Sequence, residues 1–217
     1  MVNGIFFNLD GTLTERTRGF DKIYGEAVDS SGLKIIEDSY QEYQEKFFKY
    51  FRSSYVFPRR QAIEELLKEK DYFSDERVEE FVKGWEEAES DSFVLKEGVK
   101  EVLEDLSENN VLGIISNGTG RLQRMKLEKL GISDYFESVI ISSEVGFKKP
   151  EPGIFEAAKS SLSVDRFFIV SNLPKSDILG GKKNGLKPVW LDKSEKSIEG
   201  VDKLQDIKGL VSFFEQS

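Results

Sequence analysis

The stretch Gly4-Ile5-Phe6-Phe7-Asn8-Leu9-Asp10-Gly11-Thr12-Leu13-Thr14 decides the fold. Ile5, Phe6 and Phe7 form a short apolar run that breaks at a polar, glycine-containing turn. Such a run predicts a buried strand leading into a loop. Three large apolar residues in succession suit a central parallel strand covered on both faces. Polar side chains at the carboxyl end of that strand would lie where open α/β sheets bind ligands. Asn8 and Asp10 are therefore the first candidate site residues.

What surrounds this stretch narrows the chemistry. The chain has 217 residues, enough for one domain or for a core with a small cap. It contains neither cysteine nor histidine, which excludes disulfides, thiol nucleophiles, His-based triads and Cys- or His-ligated metals. Any catalysis must use carboxylates, lysines, hydroxyls and backbone dipoles. A formal net charge of −9 argues against a nucleic-acid partner. No run approaches the length of a membrane helix and no basic leader precedes the first strand, so no membrane partner and a cytoplasmic location are expected.

Past residue 14 the pattern changes. Helical spacing of apolar residues dominates to about residue 92, through Tyr40, Tyr43, Phe47, Phe48 and Phe51, then Ile63, Leu66 and Leu67, then Val78, Phe81, Val82 and Trp85. Pro58 marks a break and Ser74 a helix start, so three or four helices are expected. The aromatic stripe Phe47, Phe48, Tyr50, Phe51, Tyr55 and Phe57 reads as bundle core or as a pocket lining. The charge runs 86–91 and 193–199 read as solvated surface.

From Val94 strands and helices alternate. Strands are expected at 111–115, 138–141, 166–170 and 189–191, the last clear one. Helices are expected at 98–107, 122–130, 152–162 with Pro152 in the first turn, and 176–184. Repeated βα units predict an α/β fold, a Rossmann-like parallel sheet with helices on both faces, plus a small α-helical cap. The expected division is 1–14 with 93–217 as the core domain and 15–92 as the cap. The polar strand ends would then meet along one edge: Asn8 and Asp10, Ser116 and Asn117, Ser171 and Asn172.

Four segments carry a resemblance. They are Asn8-Leu9-Asp10-Gly11-Thr12, Ser116-Asn117-Gly118, Gly146-Phe147-Lys148-Lys149-Pro150-Glu151-Pro152, and Ile169-Val170-Ser171-Asn172 with Asp177 five residues on. In order and spacing they resemble motifs I to IV of the haloacid dehalogenase (HAD) superfamily, and the helical insert resembles its C1-type cap. The resemblance implies a phosphatase of small phosphorylated metabolites that forms an aspartyl phosphate. In it the position of Asn8 holds the nucleophile and Asp10 the general acid and base, while Ser116, Asn117 and Lys149 bind phosphate, Lys149 counting among the catalytic groups as well. The implied Mg²⁺ positions are Asn8, Asp10, Asn172 and Asp177.

Two of the family's carboxylates are amides in this chain, Asn8 and Asn172. A carboxamide oxygen is a poor nucleophile, and loss of a nucleophile can cost on the order of 10⁶ in rate. A unit-charge pair at ~4 Å is worth about 4 kcal/mol at an effective dielectric near 20, so losing two anionic ligands predicts weak or absent Mg²⁺. The expectation is a HAD hydrolase scaffold that is inactive or severely impaired as written. The alternatives are a regulatory pseudophosphatase with a protein partner, and a 2-haloacid dehalogenase-like enzyme, whose Ser-Asn motifs resemble Ser171-Asn172 and Ser116-Asn117-Gly118. Plain structural roles also stand open: Asp10 as a turn cap, Lys149 as a loop lysine, Asp177 as a helix-start acid, Asn117-Gly118 as a turn.

Overall fold

The computed structural model describes residues 2–52 and 58–216. The chain divides into two compact units, one running up to Glu15 and resuming at Val94, the other spanning Arg16–Phe93.

In chain order the elements are β1 (Asn3–Phe7), β2 (Thr14–Arg16), α1 (Phe20–Ser31), α2 (Tyr40–Arg52), α3 (Pro58–Glu69), α4 (Asp75–Ser90), β3 (Phe93–Leu95) and α5 (Val99–Ser107). There follow β4 (Val111–Ser116), α6 (Gly120–Lys129), β5 (Ser138–Ile141), α7 (Ser142–Val145), α8 (Pro152–Ser160), β6 (Arg166–Ser171), a π-helical turn Pro174–Leu179, α9 (Gly180–Lys183), β7 (Lys187–Leu191), β8 (Asp202–Leu204) and α10 (Gly209–Glu215). Six strands form one sheet in the order β5-β4-β1-β6-β7-β8, with every pair parallel.

The central strand is fully buried, and its residues split between two cores. Ile5 and Phe7 join Leu112, Ile114, Phe168 and Val170 against Val102 and Leu103 of α5 and Leu210 and Phe214 of α10. Phe6 faces the other way, into Ile154, Phe155 and Ala158 of α8 with Ile115 and Ile169. Alternation of side chains along a strand explains why an uninterrupted apolar run was required: both faces of the sheet are covered. Gly113 permits this packing, because a Cβ there would stand 2.4 Å from the Phe6 ring.

The helical unit has a core of its own. Tyr24 and Ala27 of α1, Tyr43 of α2, Ile63 and Leu66 of α3, and Phe81 and Trp85 of α4 are buried together. The Tyr43 ring lies 5.2 Å from those of Tyr24 and Trp85 and 5.5 Å from that of Phe81. Of the aromatic stripe, Phe47 and Tyr50 pack on this core, whereas Phe48 and Phe51 are 41% and 60% exposed. Tyr55 and Phe57 lie outside the described residues. Ser74 caps α4, accepting a hydrogen bond from the Arg77 N–H. Ser74→Ala is expected to destabilise this unit by about 1 kcal/mol, read by urea unfolding; a change below a few tenths would mean that the cap carries nothing.

Three expectations need correction. The charge run 86–91 is not all solvated: Glu86 and Glu89 are 4% and 2% exposed. Glu89 is drawn inside because Arg16, Arg59 and the Trp85 indole N–H all meet its carboxylate. The sheet does not stop at residue 191, since β8 pairs with β7. A three-residue strand has too short a pattern to stand out in sequence. The helix expected at 176–184 is a π-helical turn followed by the short α9. Among the described residues no helix is long and apolar enough to cross a membrane.

Candidate active site

Parallel pairing brings the carboxyl ends of β1, β4 and β6 to one edge. The register sets Phe7 against Val170 and Ile114, and the Asn8 N–H donates to the Val170 carbonyl at 3.1 Å. Asn8 therefore emerges beside Ser171. The chain then turns tightly, with the N–H groups of Thr12, Leu13 and Thr14 all directed at the Leu9 carbonyl. Gly11 makes the turn possible. Its φ is +78°, and a Cβ there would stand 3.0 Å from Asn172 Nδ2.

Lys149 is the hub of the interior. Its ammonium donates to Asn8 Oδ1 at 2.9 Å, to the Ile115 carbonyl at 2.8 Å and to Asp177 Oδ2 at 2.7 Å. An ammonium has three protons, and here each has an acceptor. Burial lowers the Lys149 pKa, while Asp177 opposes that fall. The Asn117 side chain clamps the lysine's backbone, accepting from its N–H at 2.8 Å and donating to its carbonyl at 3.1 Å. Of the two adjacent lysines, Lys149 is the one 4% exposed. Asp177, fully buried, also accepts from the hydroxyls of Ser171 and Ser176.

Because Lys149 can only donate, it fixes the orientation of the Asn8 amide. The oxygen faces the lysine. The nitrogen donates to the Asp10 carbonyl at 2.7 Å and to Thr12 Oγ1 at 3.2 Å. The Thr12 hydroxyl in turn donates to Asn172 Oδ1 at 2.8 Å and accepts from the Asn172 N–H at 3.2 Å. Asn8, Thr12 and Asn172 thus form a continuous chain of hydrogen bonds across β1 and β6.

Asp10 points elsewhere. Lys126 of α6 holds both its carboxylate oxygens, at 2.9 and 3.0 Å, and Gln123 donates to it at 3.1 Å. Gln123 also donates to the Ser116 hydroxyl. The Lys126 side chain is 1% exposed, that of Asp10 38%. Sequence reasoning passed over Gln123 and Lys126. The signal was present: with Leu122 and Leu127 they make up the buried face of α6, so two long polar residues occupy an otherwise apolar stripe. Lys96 completes the surroundings by donating to the Gly11 carbonyl, and burial lowers its pKa.

The structure therefore gathers Asn8, Asp10, Ser116, Asn117, Lys149, Asn172 and Asp177 at one sheet edge. It divides them into a buried group around Lys149 and a more open group around Asp10. Asn117 is engaged with the Lys149 backbone, and among the described residues no three of His, Cys, Asp and Glu converge as a metal-binding cluster.

The chain as a whole has relatives. The sequence model of the haloacid dehalogenase-like hydrolases matches residues 2–185. The glyceraldehyde 3-phosphate phosphatase of Pyrococcus abyssi is 33% identical over 198 residues, covering 88% of this chain and 81% of that protein. The pyrimidine 5'-nucleotidase YjjG of Escherichia coli is 39% identical over 98 residues, and that match spans 44% of each chain. The magnesium-bound structure of the HAD-hydrolase YfnB from Bacillus subtilis superposes with a TM-score of 0.66 at 18% identity, covering 98% of both chains. This chain belongs to the haloacid dehalogenase-like hydrolase family and is related to its phosphatases.

Proposed function

We propose that this chain is a phosphatase-type scaffold that binds small phosphorylated molecules and turns them over slowly or not at all. The observation that carries the reading is Asn8. It stands at the strand end where the family's nucleophile belongs, and both ends of its amide are already engaged, with Lys149 on one side and Asp10 and Thr12 on the other. Attack by an amide oxygen would place positive charge on the carboxamide, and among the described residues the acceptors that its N–H₂ meets are a neutral carbonyl and a hydroxyl, neither of which is a base. A dehalogenase reading meets the same obstacle, since it needs the same nucleophile.

The remaining parts take these roles. Ser116, at the end of β4, is the hydroxyl assigned to the phosphoryl oxygens. Lys149 orients Asn8 and braces the edge of the sheet through Asp177. Asp10, held by Lys126 and Gln123, is the group placed to exchange a proton with a leaving oxygen. Residues 15–92 are the counterpart of the family's C1-type cap. Mg²⁺ binds weakly or not at all, because the donor set does not suit it: magnesium needs oxygen ligands in near-octahedral array. Asn8 presents an N–H towards the Asp10 carbonyl, and the carboxylates of Asp10 and Asp177 are each held by a lysine.

The test is a turnover assay of the unaltered chain on a generic aryl phosphate with millimolar Mg²⁺. The expected result is hydrolysis at or near the buffer rate. Sustained turnover within about a hundredfold of that of Asn8→Asp/Asn172→Asp, surviving repurification, would overturn the reading.

A further inference from the structure

Resting on that reading, we propose that Asn8 and Asn172 replace an Asp–metal–Asp unit charge for charge, so that the pocket receives a phosphate-type anion without a divalent cation. The charges at the sheet edge carry the argument. Lys149 pairs with Asp177 and Lys126 with Asp10, so those four groups sum to zero. Lys96 on the Gly11 carbonyl adds one positive charge, leaving the set at +1. With Asp at positions 8 and 172 the same set would stand at −1. An anion would then be repelled until a divalent cation restored the balance. The two amides do permanently what such a cation would do reversibly.

The hydrogen bonds agree with the charges. In place of a cation, the Asn8 N–H₂ satisfies the Asp10 carbonyl and the Thr12 oxygen, and the Thr12 hydroxyl satisfies Asn172 Oδ1. The acceptors around that point are therefore filled from within the chain. Two donors remain for an incoming anion. Ser116 is buried, accepting from Gln123 beneath the more open Asp10, and among the described residues its own proton has no acceptor. Asn172 Nδ2 likewise has no partner among the described residues. Lys149 is not available, since its three protons are committed.

The measurement is calorimetric titration with inorganic phosphate, in EDTA and in millimolar Mg²⁺, with thermal unfolding in the same buffers. The unaltered chain is expected to bind phosphate equally in both and to show no Mg²⁺-dependent rise in Tm. Asn8→Asp/Asn172→Asp is expected to bind phosphate at least about tenfold more weakly in EDTA than in Mg²⁺, and to gain Tm on adding Mg²⁺. Should the double variant fail to fold, Asn172→Asp alone is expected to acquire part of that dependence. Ser116→Ala is expected to weaken phosphate binding of the otherwise unaltered chain in EDTA. Affinity or Tm of the unaltered chain that rises with Mg²⁺, or no phosphate binding in either buffer, would overturn the proposal. Sustained hydrolysis by the unaltered chain would instead defeat the functional reading and leave the anion-binding result standing.

Discussion

Converting Asn8 and Asn172 together to Asp is expected to raise Mg²⁺-dependent hydrolysis of an aryl phosphate by on the order of 10⁴–10⁶ over the unaltered chain. Asn8→Asp restores an oxygen that can attack phosphorus, and Lys149, 2.9 Å from the present amide oxygen, is in place to hold the carboxylate. Alone, however, it sets a carboxylate oxygen against the Asp10 carbonyl, where an N–H now donates at 2.7 Å. Asn172→Asp supplies the second anionic ligand that would draw Mg²⁺ between them. The single Asn8→Asp variant is therefore expected to fall at least ~10² short of the double variant, roughly the 2.7 kcal/mol that such a factor represents. Equal rates would show that Asn172 is a tolerated ligand. If both variants fold and neither turns over, the loss of function extends past these two positions.

Lys149→Met is expected to destabilise the sheet-bearing unit by about 3–5 kcal/mol, the usual cost of removing one partner of a buried ion pair. The reason is local. Asp177 is 0% exposed and its ion-pair partner is Lys149 at 2.7 Å, while the Ile115 carbonyl and Asn8 Oδ1 would each lose a donor. Lys149→Met with Asp177→Asn should recover a large part of the loss, because no unpaired charge then remains. Urea unfolding followed by tryptophan fluorescence reads both changes, with a Trp85→Phe background leaving Trp190 on β7 of this unit as the one indole. A single variant within about 1 kcal/mol of the unaltered chain would show that the ion pair is incidental to stability.

The two predictions separate roles that the family pattern merges. In sequence, Lys149 reads as a phosphoryl-binding lysine. In the structure its protons are shared among a strand-end carbonyl, a buried carboxylate and the Asn8 amide. Its first effect is to hold the sheet edge together and turn that amide. The Asn117 side chain, expected among the phosphate-binding groups, clamps the Lys149 backbone.

Much of the architecture was legible because it rests on short-range rules. The uninterrupted run Ile5-Phe6-Phe7 required cover on both sides, and α5 and α10 on one face with α8 on the other provide it. Ser74 announced a helix start that its side chain does cap. The strand-end polar residues were legible as a group, since parallel strands deliver their carboxyl ends to one edge. β8 and the buried Glu89 were not. A three-residue strand exists only by pairing with β7, and an acid in a charge run is buried only because Arg16 and Arg59 arrive from elsewhere in the helical unit.

By itself, then, the sequence determined the fold class, the sheet edge at which the polar strand ends gather and the amides that stand there at positions 8 and 172. These follow from side-chain periodicity, turn chemistry and residue identity, all properties of neighbouring positions. Only the tertiary structure decided which way the Asn8 amide faces, that Lys126 and Gln123 hold Asp10, and that Lys149 has no proton to spare. Those outcomes depend on donors and acceptors up to 141 positions apart meeting within hydrogen-bond distance. Such meetings are set by how strands register and helices pack, and no local pattern encodes them.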